Sequence, residues 1–98
     1  TAGMTPELNN TSAHLYTPHF NSNNNSLLCN YQLFHTGNVE LVVYDLFGRE
    51  VTVLVNETQS PGSYSINKSL NNIASGVYLC KLNQNGKTSI TEKFIISR

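Results

Sequence analysis

Apolar and polar positions alternate in short runs along most of this chain. Between residues 39 and 55, Val39, Leu41 and Val43 alternate with Glu40, Val42 and Tyr44, and Val51, Val53 and Val55 repeat the pattern after a break. Period two in β-branched residues predicts strands, and a Gly-containing break between two such runs predicts a hairpin. Asp45 can bond its own backbone in that break, and Gly48 can take the positive φ that the reversal needs. A hairpin alone is marginal in water, so other segments must cover it. Residues 27–34 place Leu27, Cys29, Tyr31 and Leu33 on one strand face, with Leu28 and Phe34 on the other. Gly37 and Asn38 suit a positive-φ turn before the hairpin. Downstream, Pro61-Gly62 makes a turn, and Tyr64 and Ile66 share one face of a short strand over 63–67. Leu70 and Ile73 are expected to plug the core beneath an irregular stretch.

The last third repeats the pattern. Residues 76–82 put Tyr78, Cys80 and Leu82 on one face and Val77 and Leu79 on the other, as in a central or covered strand. Asn85-Gly86 is a two-residue hairpin signal. Residues 88–96 form a final strand, where Glu92 shares the face of Phe94 and calls for a bulge or partial exposure. Near the start, Leu15, Tyr16 and Phe20 can pin a short edge strand, and Pro18 fits an edge better than a central position. About seven strands at even spacing, with no helical period, predict an all-β fold: an antiparallel seven-stranded β-sandwich, immunoglobulin-like in outline. A small open barrel is the competing architecture.

Length and charge narrow this further. A chain of 98 residues is one domain. Residues 1–13 lack period and apolar content and read as a flexible linker or an artificial start, leaving 14–98 as the folded unit. Six Lys plus Arg balance six Asp plus Glu, so long-range attraction to nucleic acid or an anionic membrane is not indicated. No apolar run approaches the roughly 20 residues that span a bilayer, so no stable membrane insertion is expected. No charged-then-apolar start marks a signal peptide. Few charges and many Asn, Ser and Thr nevertheless look extracytoplasmic, as in a piece of a larger protein whose export signal lies upstream. Two cysteines are too few for a disulfide scaffold. Cys29 and Cys80 can pair across a sandwich or serve as small buried apolar residues, and geometry decides between these.

Catalytic patterns are thin. His14, His19 and His35 lie in or beside turns without zinc-site spacing, and the glycines are scattered one per turn rather than gathered in a phosphate loop. Glu7, Glu40, Asp45, Glu50, Glu57 and Glu92 are isolated, and no nucleophile elbow surrounds a serine. No enzyme, metal or cofactor is predicted. The sequons at Asn9, Asn10, Asn24, Asn56 and Asn67 are expected by chance in so Asn-rich a chain.

Several spaced motifs occur in one order: Tyr44-Asp45 with Gly48-Arg49, Pro61-Gly62, Gly76-Val77-Tyr78, Asn85-Gly86-Lys87, and Lys93 near the end. Together they resemble the type A C-terminal sorting domain of the type IX (Por) secretion system of Bacteroidetes, over roughly residues 16–98. The family's opening Tyr-Pro-Asn-Pro-Phe-like motif is degenerate here, as Tyr16-Thr17-Pro18-His19-Phe20. The resemblance implies a non-catalytic sorting signal for a cargo domain fused upstream. Its partners are the translocon and a surface sortase. The route runs through the periplasm to the cell surface or medium, with cleavage before Tyr16. The alternatives are an accessory carbohydrate-binding module, disfavoured by the lack of Trp and of exposed aromatics, and a passive spacer.

Structural roles account for Asp45, Gly48, Arg49, Gly62 and Gly86 as turn residues. Gly76 is expected to let the chain enter its strand closely packed, and Tyr78 to be a core aromatic with a wet hydroxyl. For machinery recognition the sequence points instead to Gly76, Val77 and Tyr78 beside Lys93, Phe94, Ile95, Ile96 and Arg98. A terminal strand at a sheet edge can accept a partner strand. Intact export of a fused reporter after deletion of residues 93–98, with the domain still folded, would contradict that surface.

Overall fold

The computed structural model describes residues 13–86 and 88–98. The expected linker, apart from Ala13, lies outside them, as do Lys87 of the Asn-Gly-Lys motif, the sequons at Asn9 and Asn10, and, apart from residues 13–15, the region before Tyr16 where cleavage is expected.

Eight antiparallel strands form two facing sheets: β1 (Ala13–Leu15), β2 (His19–Asn21), β3 (Ser26–Leu33), β4 (Gly37–Tyr44), β5 (Glu50–Gln59), β6 (Gly62–Ser69), β7 (Gly76–Gln84) and β8 (Thr88–Ile96). One sheet has β3 at its centre, with β6 on one side and β1 and β2 on the other. β1 pairs with the second half of β3 and β2 with the first half. They are two pieces of one edge strand, interrupted around Pro18, which has no N–H to donate to a ladder. Counted so, the sandwich has the expected seven strand positions. The other sheet runs β5-β4-β7-β8. The fold is an immunoglobulin-like sandwich.

The predicted faces define the core. Leu27, Cys29, Tyr31 and Leu33 from β3 meet Val39, Leu41 and Val43 from β4, Tyr78, Cys80 and Leu82 from β7, and Phe94 and Ile96 from β8. Leu70 is buried, and Ile73 packs against the same cluster. Ala13 and Leu15 of β1 are buried and belong to the core cluster.

Some expectations are corrected. Val51, Val53 and Val55 do not share a face. Leu41 pairs with Val55 but Val42 with Val53, and Val43 pairs with Thr52 but Tyr44 with Glu50. Each shift leaves an extra residue, Leu54 and then Val51, and both pack toward the core, while Val53 turns outward. A bulge moves the phase of a period-two pattern by one residue, which the alternation cannot reveal. Tyr16 is not an anchor, since it is half exposed. Gly37 and Asn38 are not among the positive-φ residues. Gly37 is needed for space, because a Cβ there would lie 2.7 Å from Asn85 Nδ2. Asn85 ties the two turns at this end together: its N–H donates to Asn38 O at 2.8 Å, and its Oδ1 accepts from Asn38 N at 2.9 Å. Gln84 pairs with Thr88, so the connection from β7 to β8 spans three positions rather than two. At Glu92 the second of the two expected outcomes holds: β8 keeps unbroken register, and Glu92 is partly exposed at the sheet edge, where it accepts from Thr17 Oγ1 at 2.9 Å.

Candidate recognition surface

The end of the sandwich opposite Asn85 gathers the turn between β4 and β5, the start of β7 and the end of β8. Asp45 organises the turn. Its Oδ1 accepts from Phe47 N at 2.9 Å and Arg49 N at 3.0 Å, and its Oδ2 from Arg49 Nε at 2.8 Å. These bonds, the Arg49 N–H first, hold the Asp45 carboxyl below the usual carboxylate value. Gly48 closes the turn at φ +85°, where a side chain is strained. With the polar groups turned inward on Asp45, the two remaining turn side chains point away. Leu46 is 61% exposed and Phe47 85%. The Arg49 guanidinium lies 5.4 Å from the Phe47 ring centre.

This tip borders Gly76, Val77 and Tyr78 around a shallow hollow of about 250 Å³. Gly76 pairs with Ile96, Val77 with Ile95, Tyr78 with Phe94 and Leu79 with Lys93. The expected recognition residues are therefore neighbours in space, but they divide by face. Tyr78, Phe94 and Ile96 point into the core. Val77, Lys93 and Ile95 point outward, and Ile95 is 63% exposed. Tyr44 and Leu79 continue this outer face in register, with Lys81 Nζ 5.4 Å from the Tyr44 ring centre. The Tyr78 hydroxyl is not simply wet, since it donates to Ala74 O at 2.7 Å. Close packing is not what Gly76 provides, as a Cβ there would meet only the Tyr78 ring at 3.7 Å.

β8 is an edge strand, bonded to β7 alone among the described strands. A cleft of about 370 Å³ runs beside it, between Lys93, Phe94, Ile95 and Ser97 and the interrupted strand at Thr17, Pro18, His19 and Phe20. Arg98 is engaged within the molecule. Its Nε donates to Ile73 O at 2.6 Å, its Nη1 to Asn25 Oδ1 at 2.9 Å and its Nη2 to Leu70 O, and its guanidinium lies 5.5 Å from the Phe20 ring centre.

Leu46 and Phe47 are not part of the surface expected from the sequence, where Asp45, Gly48 and Arg49 account for this turn by structural roles alone. The available signal was two large apolar residues at turn positions, where polar residues are the rule. Among the described residues no group of three or more His, Cys, Asp or Glu could hold a metal ion.

A family model described as a secretion system C-terminal sorting domain matches residues 20–97. Comparison with curated proteins and with solved structures gave no match.

Proposed function

From the premise that the chain belongs to the family of secretion system C-terminal sorting domains, we propose that it is the folded export label of a cargo domain fused upstream. It is read by the type IX translocon and a surface sortase, and it accompanies its cargo through the periplasm to the cell surface or medium. The family is non-catalytic in general. The observation that carries the surface assignment is the coincidence of an open edge strand with exposed apolar side chains. β8 offers unpaired backbone groups for strand addition. Ile95, Val77, Leu46 and Phe47 form an apolar border beside it, and Lys93 adds a positive charge. Scattered exposed apolar residues are ordinary, but several in one place at an open edge suit a partner.

Deleting residues 93–98 does not test this, because it also removes Phe94 and Ile96 from the core. The test uses single outward changes in a reporter fused ahead of the chain, in cells with and without the translocon. Export should depend on the translocon and fall at least tenfold in Ile95→Asp and Phe47→Ser, an effect of about 1.4 kcal/mol or more on recognition. Phe34→Ser, an exposed apolar residue at the other end, should export normally. Equal export without the translocon would end the sorting reading. Translocon-dependent export unaffected by both outward changes would end the surface assignment alone.

A second reading has one observation in its favour. Tyr16 is exposed after all, and with Asn30, Ser63 and Ser65 it borders a depression of about 380 Å³ on the outer face of the other sheet. An aromatic ring beside hydrogen-bonding side chains suits a sugar. Retardation of the chain in polysaccharide-containing gels, lost in Tyr16→Ala, would favour that module.

A further inference from the structure

We propose that Cys29 and Cys80 are the two halves of an inter-sheet disulfide that forms as the sandwich closes. Cys29 sits on β3, the central strand of one sheet, and Cys80 on β7, a central strand of the other. Both side chains have 0% exposure. Their sulfurs face each other at 3.5 Å as free thiols. Neighbouring strands hold both residues in unbroken register, with Cys29 opposite Ile66 and Cys80 opposite Val43 and Glu92. Bond formation needs the sulfurs to approach to about 2.05 Å, a shift of the order that side-chain rotation supplies.

The surrounding architecture supports this independently. In chain order β3 is the second strand position of the sandwich and β7 the sixth. Those are the two strands that the inter-sheet disulfide of immunoglobulin domains joins. Those domains also carry a tyrosine two residues before the second cysteine, bonded to backbone just upstream. Tyr78 stands two residues before Cys80, and its hydroxyl donates to Ala74 O at 2.7 Å. That bond fixes the start of β7 and therefore the depth at which Cys80 enters the core.

The chemistry needs an oxidant, and the class named here is a small-molecule or protein disulfide. One thiol loses its proton and attacks the external disulfide, releasing one thiol and leaving a mixed disulfide. The second cysteine, as thiolate, then attacks the sulfur of the first and releases the second thiol. Two protons and two electrons leave the cysteine pair, and one disulfide is reduced to two thiols. In the closed sandwich the hydrogen bond with Cys80 holds the Cys29 pKa below its ordinary value, while Cys80 is pushed far up by its partner and by burial. Neither sulfur is open to solvent in the closed sandwich. Exchange therefore takes place before the sheets close or during their transient opening. This inference stands on the geometry alone and does not rest on the sorting assignment.

The test is refolding of the urea-unfolded 98-residue chain in mixtures of reduced and oxidised glutathione, followed by alkylation under denaturing conditions and intact mass measurement. The expected product is a monomer lighter by two hydrogen atoms that takes up no alkylating agent. Its Tm should exceed that of the reduced chain by roughly 10–20 °C. The already folded, reduced chain should reach the same product more slowly. The variants Cys29→Ala and Cys80→Ala should give only glutathione adducts or free thiol. A wild-type chain that refolds and keeps two alkylatable thiols across the whole redox range would overturn the proposal. So would oxidation that yields only adducts or intermolecular dimers. Both readouts are taken on the wild-type chain, so they decide the matter even if an alanine variant does not fold.

Discussion

Asp45 accepts three hydrogen bonds through one carboxylate, and each needs the negative charge or the lone pairs that go with it. Its pKa in the folded state is depressed below the ordinary value of 3.8. The stability it contributes is therefore present above that value and lost as pH falls through the lower, folded one. Asp45→Asn should lower Tm at neutral pH. The gap between wild type and variant should narrow as pH falls from about 5 to about 2, which thermal melts across that range would show. Gly48 belongs to the same turn but acts through backbone alone. No atom lies within 4 Å of a Cβ built there, so Gly48→Ala costs only the positive φ, about 1 kcal/mol, read as a lower urea midpoint at unchanged m. These turn roles were legible because Asx and Gly chemistry is local. The Asn85–Gly37 contact was not, because it joins positions distant in sequence that only the closed fold brings together.

Among elements, β8 separates packing from presentation in consecutive residues. Phe94 is core and Ile95 is solvent-facing. Phe94→Ala should cost about 3–5 kcal/mol, a large part of a small domain's stability. Ile95→Asp should stay within about 0.5 kcal/mol in urea unfolding. A pair of melts on these variants checks the assignment of faces before any export measurement. The alternation along 93–96 was ambiguous because Phe94, Ile95 and Ile96 are all apolar, so both faces of the strand carry apolar residues. β5 failed for a different reason. Its apolar residues are correct for a strand, but two bulges reset their phase, and no residue type marks a bulge reliably. The break between β1 and β2 was not visible: Pro18 pointed to an edge strand, which the structure has, but not to its interruption, while Tyr16 had the composition of an anchor and the position of a surface residue.

At the scale of the whole molecule, polar ties join the sheets around the apolar core. Tyr31 on β3 donates to Gln59 Oε1 on β5 at 2.5 Å, and its ring stacks on Tyr64 with centres 5.2 Å apart. Burial raises the Tyr31 pKa to about 12, from an ordinary value of 10.0. With the folded value the higher one, its contribution is complete below pH 10 and lost as pH rises through about 12. Wild type should lose Tm over that interval by more than Tyr31→Phe does. Arg98 makes a similar long-range tie to the carbonyls of Leu70 and Ile73. It was assigned to a partner from sequence, since nothing local tells a free arginine from one folded back on its own chain. The sandwich itself was legible, because strand number and facing residues follow from period two. Which side chains are left outward at an edge depended on register and edge position, which are properties of the assembled sheet.

The two bulges of β5 make the two margins of the sheet that contains β8 unequal. A sheet with two regular edges can add copies at both and grow into a fibre. Here one margin is kinked at Leu54 and Val51, and kinked margins pair poorly. The kinks lie in the first half of β5, up to Leu54, while Val55–Gln59 keeps a regular register, so strand addition along the full length of that margin is disfavoured relative to β8, whose pairing with β7 has no shift. Under the proposed reading of β8 as the edge that a partner strand joins, this asymmetry directs strand addition to one margin of the sheet rather than to both.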